Sequence, residues 1–239
     1  MKKHKRMLSC VRKSTLNSFL NQTHICMKHL TKVLTLALTF CAATTFAQVN
    51  FGVKAGLNLA NMSLSGEGSD ELDDLKKMLI TFQVGGIVEF DLAENIALQS
   101  GLMLVGKGFK IEDDNFDAKS TLNPFYLQVP ALVVYKGEMF YVGAGPYVGF
   151  GLFGKTKFEV GGEEDSENIE FGNDEDSDLA PLDFGLQIEA GVILAGNIRV
   201  GAGYGLGLAN AIPKDARGDD DSAKHGVISI NAAYMFGGN

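Results

Sequence analysis

The stretch from Phe125 to Leu152, FYLQVPALVVYKGEMFYVGAGPYVGFGL, is strongly apolar, yet it contains two prolines and five glycines. Both residue types are unfavourable inside helices, which argues against a buried or membrane-spanning helix. The segment from Tyr135 to Glu138 is typical of a tight turn between two strands. After it, apolar residues alternate with tyrosine and glycine. One side carries Phe140, Val142, Ala144, Val148 and Phe150, and the other carries Tyr141, Gly143, Gly145, Tyr147 and Gly149.

The same period-two alternation recurs along the chain from Val49 onward, and it is the pattern of strands with one apolar face. It predicts eight strands, at about 49–63, 78–92, 96–112, 122–136, 139–160, 182–195, 197–212 and 226–237. The predicted connections alternate between short turns, at 93–95, 137–138 and 195–197, and long polar loops, at 64–77, 113–121, 161–181 and 213–225.

Short turns at one end and long loops at the other are typical of bacterial outer-membrane barrels, and an even strand number puts both termini on the short-turn side. The polar face also favours a membrane barrel over a soluble one. It is rich in glycine and poor in charge, whereas a soluble surface carries more charge. The acids concentrate in the loops, ten of them between Glu159 and Asp178. We therefore predict an all-β fold, an eight-stranded antiparallel up-and-down transmembrane barrel with a narrow lumen lined by the polar face.

Aromatic residues of the apolar face lie at both ends of the predicted strands, as in the belts that mark membrane interfaces. Those near the short turns are Phe51, Phe90, Tyr135, Phe140, Tyr234 and Phe236, and those near the long loops are Phe82, Phe125, Phe150 and Phe184.

The N-terminal region predicts a leader rather than part of the fold. Residues 27–47, MKHLTKVLTLALTFCAATTFA, combine a basic start, a short apolar core and a small final residue, the pattern of a secretory signal peptide. Residues 1–26 then read as an over-extended start or an unusually long basic leader, and residues 48–239 as the barrel domain. A lipoprotein signal ending at Cys41 is disfavoured by Phe40 before it.

Removal of this leader changes the charge and the available chemistry. All three cysteines precede Gln48, so residues 48–239 offer no disulfide or thiolate site. Eight of the 21 Lys and Arg precede Gln48 and all 29 Asp and Glu follow it, which leaves 13 basic and 29 acidic residues, a net charge of −16. So acidic a chain is unsuited to nucleic acid.

Several segments resemble the "porin family" of outer-membrane β-barrel proteins from Bacteroidota-type bacteria, which includes the PorT barrel of type IX secretion. YLQVPALVVY at 126–135 is similar to the family's YLEIPLLLKY strand, and GPYVG at 145–149 matches another family element. DFGL at 183–186 followed by EAG at 189–191, and GVKAGLN at 52–58, are also similar to family strands. The resemblance implies location and fold, while fold alone does not set activity.

The candidate site is a set of charged residues on the predicted lumen face: Lys54, Glu89, Asp183, Glu189 and Arg199, with Asp91 and Lys136 nearby. Buried charges need partners. We expect Arg199 to pair with an interior acid, first with Glu189 across the turn at Gly196, and otherwise with Glu89 or Asp183. These groups would either plug the barrel with ion pairs or line a narrow gated pore.

The remaining motifs are weak. The acidic run 173–178 lacks the glycine and glutamate spacing of a calcium loop, which predicts a solvated acidic loop, with weak divalent-cation binding as the alternative. The tripeptide Arg217-Gly218-Asp219 is too short to predict adhesion, and His225 reads as polar surface rather than as a catalytic base.

We predict no enzymatic activity, no cofactor and no metal site. We expect an outer-membrane protein with extracellular long loops, periplasmic termini and outer-membrane lipid, including lipopolysaccharide, as its surroundings, and with other envelope proteins as candidate partners. Its role would be structural or in interaction, with a small-solute pore or a PorT-like secretion component as alternatives.

Overall fold

The computed structural model describes residues 49–66, 76–113, 118–194, 197–218 and 220–236. Within these ranges, no helix is long and apolar enough to cross a membrane. The described residues form eleven strands: β1 (Val49–Ser65), β2 (Lys76–Lys77), β3 (Leu79–Ala93), β4 (Ile96–Gly106), β5 (Phe109–Asp113), β6 (Ala118–Lys136), β7 (Phe140–Val160), β8 (Glu163–Asn168), β9 (Leu182–Leu194), β10 (Ile198–Gly207) and β11 (Ser222–Met235).

Eight of these strands close into an antiparallel ring in the order β1-β3-β4-β6-β7-β9-β10-β11, and β11 pairs back to β1. The predicted eight-stranded antiparallel barrel is confirmed. Paired neighbours followed once round the ring lead from Phe90 back to Ile80 of the same strand, a displacement of ten residues. Such a stagger requires the strands to tilt against the barrel axis.

The three additional strands prolong the sheet at the long-loop end. β2 and β8 lie where the sequence predicted loops, whereas β5 falls mostly within the predicted strand 96–112. β5 pairs with the first residues of β6, β2 pairs with β5, and β8 pairs with the end of β7. The β7–β8 turn consists of Gly161 and Gly162, whose φ angles of 60° and 87° suit glycine and allow the acidic segment to fold back as a hairpin.

Several predicted boundaries differ from the structure. The predicted strand 96–112 is interrupted after Gly106, because Gly108 has a φ of 112° that breaks the pairing with β6. β10 ends at Gly207 instead of residue 212, and β11 begins at Ser222 instead of residue 226. The predicted leader 1–47, the turn residues Ala195 and Gly196, and the tail 237–239 lie outside the described residues.

The two faces of the strands are as predicted. The apolar register points outward, as in Leu57 and Ile80, which are 64% and 71% exposed, while the alternate residue Asn58 is fully buried. The polar register therefore lines the interior of the ring.

Glycines in the inward register make room for tyrosine rings. Tyr141 is paired with Gly191 on the adjacent strand, which in turn faces Gly201 on the next one. A Cβ atom at Gly191 would lie 2.7 Å from Cε1 of Tyr141, and one at Gly185 would lie 2.9 Å from Cε1 of Tyr147. The glycines thus let both rings lie against the barrel wall, which is why a narrow lumen needs them.

Candidate functional site: ion pairs across the barrel interior

The five charged residues predicted for the lumen all lie on inward positions of the ring and are nearly inaccessible to solvent. They are Lys54 on β1, Glu89 on β3, Asp183 and Glu189 on β9, and Arg199 on β10. Each is in contact with a group of opposite charge.

Arg199 pairs with Glu89 through both guanidinium nitrogens, and the Nη2–Oε2 distance is 2.9 Å. This bidentate geometry is the strongest form of a side-chain ion pair. The prediction that Arg199 pairs first with Glu189 was wrong. Glu189 lies opposite Gly203 on β10, four residues further from the turn than Arg199. The carboxylate within reach is therefore that of Glu89.

Glu189 instead accepts a hydrogen bond from the Nζ of Lys54. Its Oε1 also accepts from Gln99 Nε2 at 3.3 Å, and its Oε2 from Gln187 Nε2 at 3.4 Å. Gln187 Oε1 accepts in turn from Gln128 Nε2 at 3.1 Å. A continuous polar chain therefore runs from β1 through β9 to β6.

Asp183 pairs with Lys107, a residue that the sequence analysis did not select. Lys107 follows the end of β4 and is 1% exposed, with its Nζ 4.4 Å from the ring centroid of Tyr147. Tyr147 Oη lies 3.2 Å from Asp183 Oδ2. The available signal in the sequence was the alternation, since Lys107 occupies an odd position, as does the inward Gln99.

All three of these pairs connect strands that have two other strands between them in the ring: β10 to β3, β1 to β9, and the end of β4 to β9. The pairs therefore cross the lumen instead of bridging neighbours. They fix opposite walls of the barrel to each other.

The short-turn end carries a further, less buried cluster. Lys136 contacts Asp91, which also accepts a hydrogen bond from Asn50 Nδ2 at 3.0 Å. Lys136 Nζ is 3.6 Å from Glu89 Oε2, so this cluster is continuous with the Arg199 pair.

His225 is buried, at 2% exposure, and the expectation that it forms polar surface was wrong. Because β11 begins at Ser222, His225 falls in the inward register with Ser229 and Asn231. Its Nε2 lies 3.3 Å from Tyr126 Oη. Within the described part of the chain, no hydrogen bond joins the His225 ring to an acid or a serine.

The acidic run 173–178 is largely exposed, as predicted. The longer segment 169–181 between β8 and β9, which we call the lid, also buries apolar residues on either side of this run. Ile169 and Leu179 are 6% and 5% exposed and pack with Met62, Ala211 and Ala223. Phe171 lies edge-on to the ring of buried Tyr126, with centroids 5.6 Å apart. Ile169, Phe171 and Leu179 stand among the acids in the sequence, and this was the available indication of a packed segment. They point inward because burial removes their apolar surface from water.

The interior is closely packed around these polar groups. One apolar cluster contains Ile87, Met103, Val105, Ala233 and Met235. A cavity of about 20 Å³ lies beside Lys107, Gln128 and Tyr147. A volume of this size holds about one water molecule.

A family model for the outer membrane protein beta-barrel domain matches residues 46–212. The chain belongs to this family. No curated protein sequence matches it.

Solved structures of outer-membrane proteins are similar to this barrel. Ail, the attachment invasion locus protein of Yersinia pestis, is 15% identical, with 79% of this chain and 99% of that chain covered and a TM-score of 0.42. Neisserial surface protein A is 12% identical over 79% of this chain and 99% of that chain, with a TM-score of 0.41. OprG from Pseudomonas aeruginosa is 15% identical over 80% and 97%, with a TM-score of 0.38.

As an outer-membrane barrel, the protein presents its apolar outer face to lipid, and outward aromatics mark both edges of this face. Tyr135 and Phe140 lie 5.9 Å apart, ring to ring, at the short-turn end. At the other end, the ring of Phe125 lies 5.0 Å from that of Phe82 and 5.2 Å from that of Phe153. These groups have the placement of the two aromatic belts of a membrane barrel.

Proposed function

We propose that this protein is a closed outer-membrane barrel with a structural or interaction role at the cell envelope. The observation that carries the proposal is the set of ion pairs across the lumen, Arg199–Glu89, Lys54–Glu189 and Lys107–Asp183. An open pore would keep such charged groups hydrated, whereas here they are buried and bonded to each other.

The lid supports the same role. It covers the long-loop mouth with apolar side chains, and its backbone is bonded to the rim, since Ala180 N donates to Ala211 O at 2.8 Å. Two independent closures, one of ion pairs and one of packed apolar residues, favour a barrel that acts through its surfaces. We propose no catalytic role.

Conductance is the direct test of closure. We expect purified residues 48–239, folded and inserted in planar bilayers, to give no stable unit steps under conditions in which an open porin conducts. The variant Glu189→Gln, which leaves Lys54 without its carboxylate partner, serves as a probe. Stable steps from the wild type that change in size with Glu189→Gln would replace this proposal with the small-solute pore.

A secretion-machine component similar to PorT is the alternative that the sequence resemblance favours. Such a component would have the same closed barrel as a structural protein and would differ from it in its protein partners. A pull-down of the tagged protein from its native membranes, analysed by mass spectrometry, separates the two roles. Stoichiometric recovery of a defined envelope complex would favour the secretion role, and recovery of lipid alone would favour the structural one.

We further propose that residues 27–47 are a signal peptide and that residues 48–239 form the mature protein, with residues 1–26 preceding the functional start. The match to the family model begins at residue 46, next to the proposed cleavage site, and supports this division. Lipopolysaccharide in the outer leaflet would then surround the long-loop end.

The proposed orientation places the long-loop end outside the cell and the termini in the periplasm. Glu167 of β8 is paired with Thr156 of β7, so an epitope tag inserted there would disturb the hairpin. Gly161 and Gly162 have open space around them and accept an insertion better. We expect a tag between them to be labelled by antibody on intact cells. A tag at the C-terminus is the matched control, and labelling of the loop tag only after lysis would reverse the orientation.

A further inference from the structure

The outer face of the sheet changes character directly beyond the upper aromatic belt. β6 and β7 continue past the Phe125–Phe153 pair with the cross-strand pairs Asn123–Lys155, Thr121–Lys157 and Lys119–Glu159. These residues follow the two phenylalanines at every second position and so point outward with them. β5 adds Lys110 beside Thr121.

We call Lys110, Lys119, Lys155 and Lys157 the lysine face. Two adjoining cavities lie on it. One, of about 220 Å³, is lined by Asn123, Phe125, Phe153, Lys155 and Lys157, among others. The other, of about 330 Å³, is lined by Lys110, Lys119, Thr121, Lys157, Glu159 and Glu164. Thr121 and Lys157 belong to both cavities.

The lysine face concentrates cations in a strongly acidic protein. Within the described residues, Lys155 forms no ion pair. Lys157 contacts Glu164 at 2.8 Å, but both side chains are more than half exposed, and an exposed pair of this kind adds little stability and exchanges readily. Glu112 is held between Lys77 and Lys110, whose hydrogen bonds lower the pKa of its carboxyl group to about 2. Glu112 therefore remains charged and offsets part of the charge on β5, and Lys119 lies 3.6 Å from Glu159. Lys155 and Lys157 are thus the main hydrogen-bond donors for a bound anion.

The height of these two lysines matches a lipid headgroup layer. Lys155 lies two residues beyond Phe153, which is about 7 Å along the strand. A ligand that contacts Phe153 with its acyl chains and Lys155 with its headgroup must therefore carry an anionic group directly above the chains. The hydroxyl-bearing Thr121 lies between Lys110 and Lys157, and the amide-bearing Asn123 lies opposite Lys155. Both side chains can form hydrogen bonds with a sugar.

From this arrangement we propose that the lysine face is a binding site for a phosphorylated glycolipid of the outer leaflet. Lys155 and Lys157 would bind its phosphate, Thr121 and Asn123 its sugar hydroxyls, and Phe125 and Phe153 its acyl chains. The proposal rests on the orientation given under Proposed function, with the long-loop end at the outer leaflet.

The test is lipid binding by the folded, detergent-solubilised protein, measured by native mass spectrometry. The probes are phosphorylated lipid A and the same lipid A after removal of its phosphates. We expect the double variant Lys155→Gln/Lys157→Gln to bind phosphorylated lipid A about 30-fold more weakly than the wild type, since each lysine near an anionic surface contributes about five- to sixfold. Binding of the dephosphorylated probe should not change.

Two further variants distinguish binding at this site from nonspecific electrostatic attraction of the lipid to the protein. Lys224→Gln removes an exposed lysine of β11 whose cross-strand neighbour is Ser63, and it should leave binding unchanged. Glu164→Gln removes the carboxylate that competes for Lys157 and should strengthen binding several-fold. Folding of each variant is checked by the mobility difference between heated and unheated samples on gels.

The proposed site would be overturned if Lys224→Gln weakened binding of phosphorylated lipid A as much as the double variant does. It would also be overturned if the double variant lost binding of both lipid A probes to the same extent. Binding of phosphatidylglycerol as tightly as phosphorylated lipid A would overturn the glycolipid assignment. Neither result bears on closure of the lumen, which conductance measures, or on orientation, which cell-surface labelling measures.

Discussion

Replacement of Arg199 by methionine is expected to lower the free energy of unfolding by about 3–5 kcal/mol, the usual cost of removing one partner of a buried ion pair. The variant leaves the Glu89 carboxylate fully buried, with Lys136 at 3.6 Å as its remaining cation. The measurement is urea unfolding of the barrel in lipid vesicles. It is best followed by circular dichroism or gel mobility, because the chain has no tryptophan.

A double-mutant cycle identifies the partner. Glu89→Gln in the Arg199→Met background should recover part of the loss, since it removes the charge that the first change left unpaired. Glu189→Gln in the same background is the control and should add its own cost, because Glu189 pairs with Lys54. Recovery by Glu189→Gln, or strict additivity with Glu89→Gln, would contradict the observed pairing.

The alternation of apolar and polar residues was enough to predict the ring, its faces and its long-loop asymmetry. A one-residue shift of any strand would have exchanged its faces, so the pattern leaves little freedom once one face must contact lipid. The tyrosine and glycine positions of β7 illustrate this, since Tyr141 and Tyr147 both point inward as the alternation predicts.

Ion-pair partners could not be predicted in the same way. The sequence suggests partners on neighbouring strands, and Glu189 was chosen for Arg199 because a short turn joins their strands. In the barrel, the pairs connect strands with two others between them. Which residues meet across the lumen depends on the ten-residue stagger of the ring, and the stagger is a property of the closed sheet that no single hairpin shows.

The lid and Lys107 were missed for a related reason. A run of acids is normally solvated, and Ile169 and Leu179 were outweighed by the acids around them. Their burial depends on Met62, Ala211 and Ala223, which come from distant parts of the chain. Lys107 follows a strand end set by the positive φ of Gly108, and its contact with Asp183 requires the opposite wall.

The second large effect is expected on the lipid face, at Ala202. This residue points outward from the middle of β10, four residues from both Ile198 and Leu206, and pairs with Ala190 and Ile230. An arginine near the bilayer midplane of such a barrel costs about 2–4 kcal/mol. Ala202→Arg should therefore lower the free energy of unfolding by that amount and reduce the yield of folded barrel in vesicles.

Ala202→Leu is the matched control, because it enlarges the side chain without adding charge. The small side chains of Ala190 and Ala202 leave a shallow outward depression of about 260 Å³ beside Val142 and Ile188. Leucine can occupy it in contact with lipid, so this variant should fold as well as the wild type. Gly203→Ser is a poorer control, since a Cβ atom there would lie 3.0 Å from the Ile188 carbonyl oxygen. If arginine and leucine at position 202 were equally harmful, the cause would be steric, and contact of this face with lipid would lose its support. If only arginine is harmful, the penalty comes from burying a charge in the membrane, and the outward register of β10 is established independently of the family match.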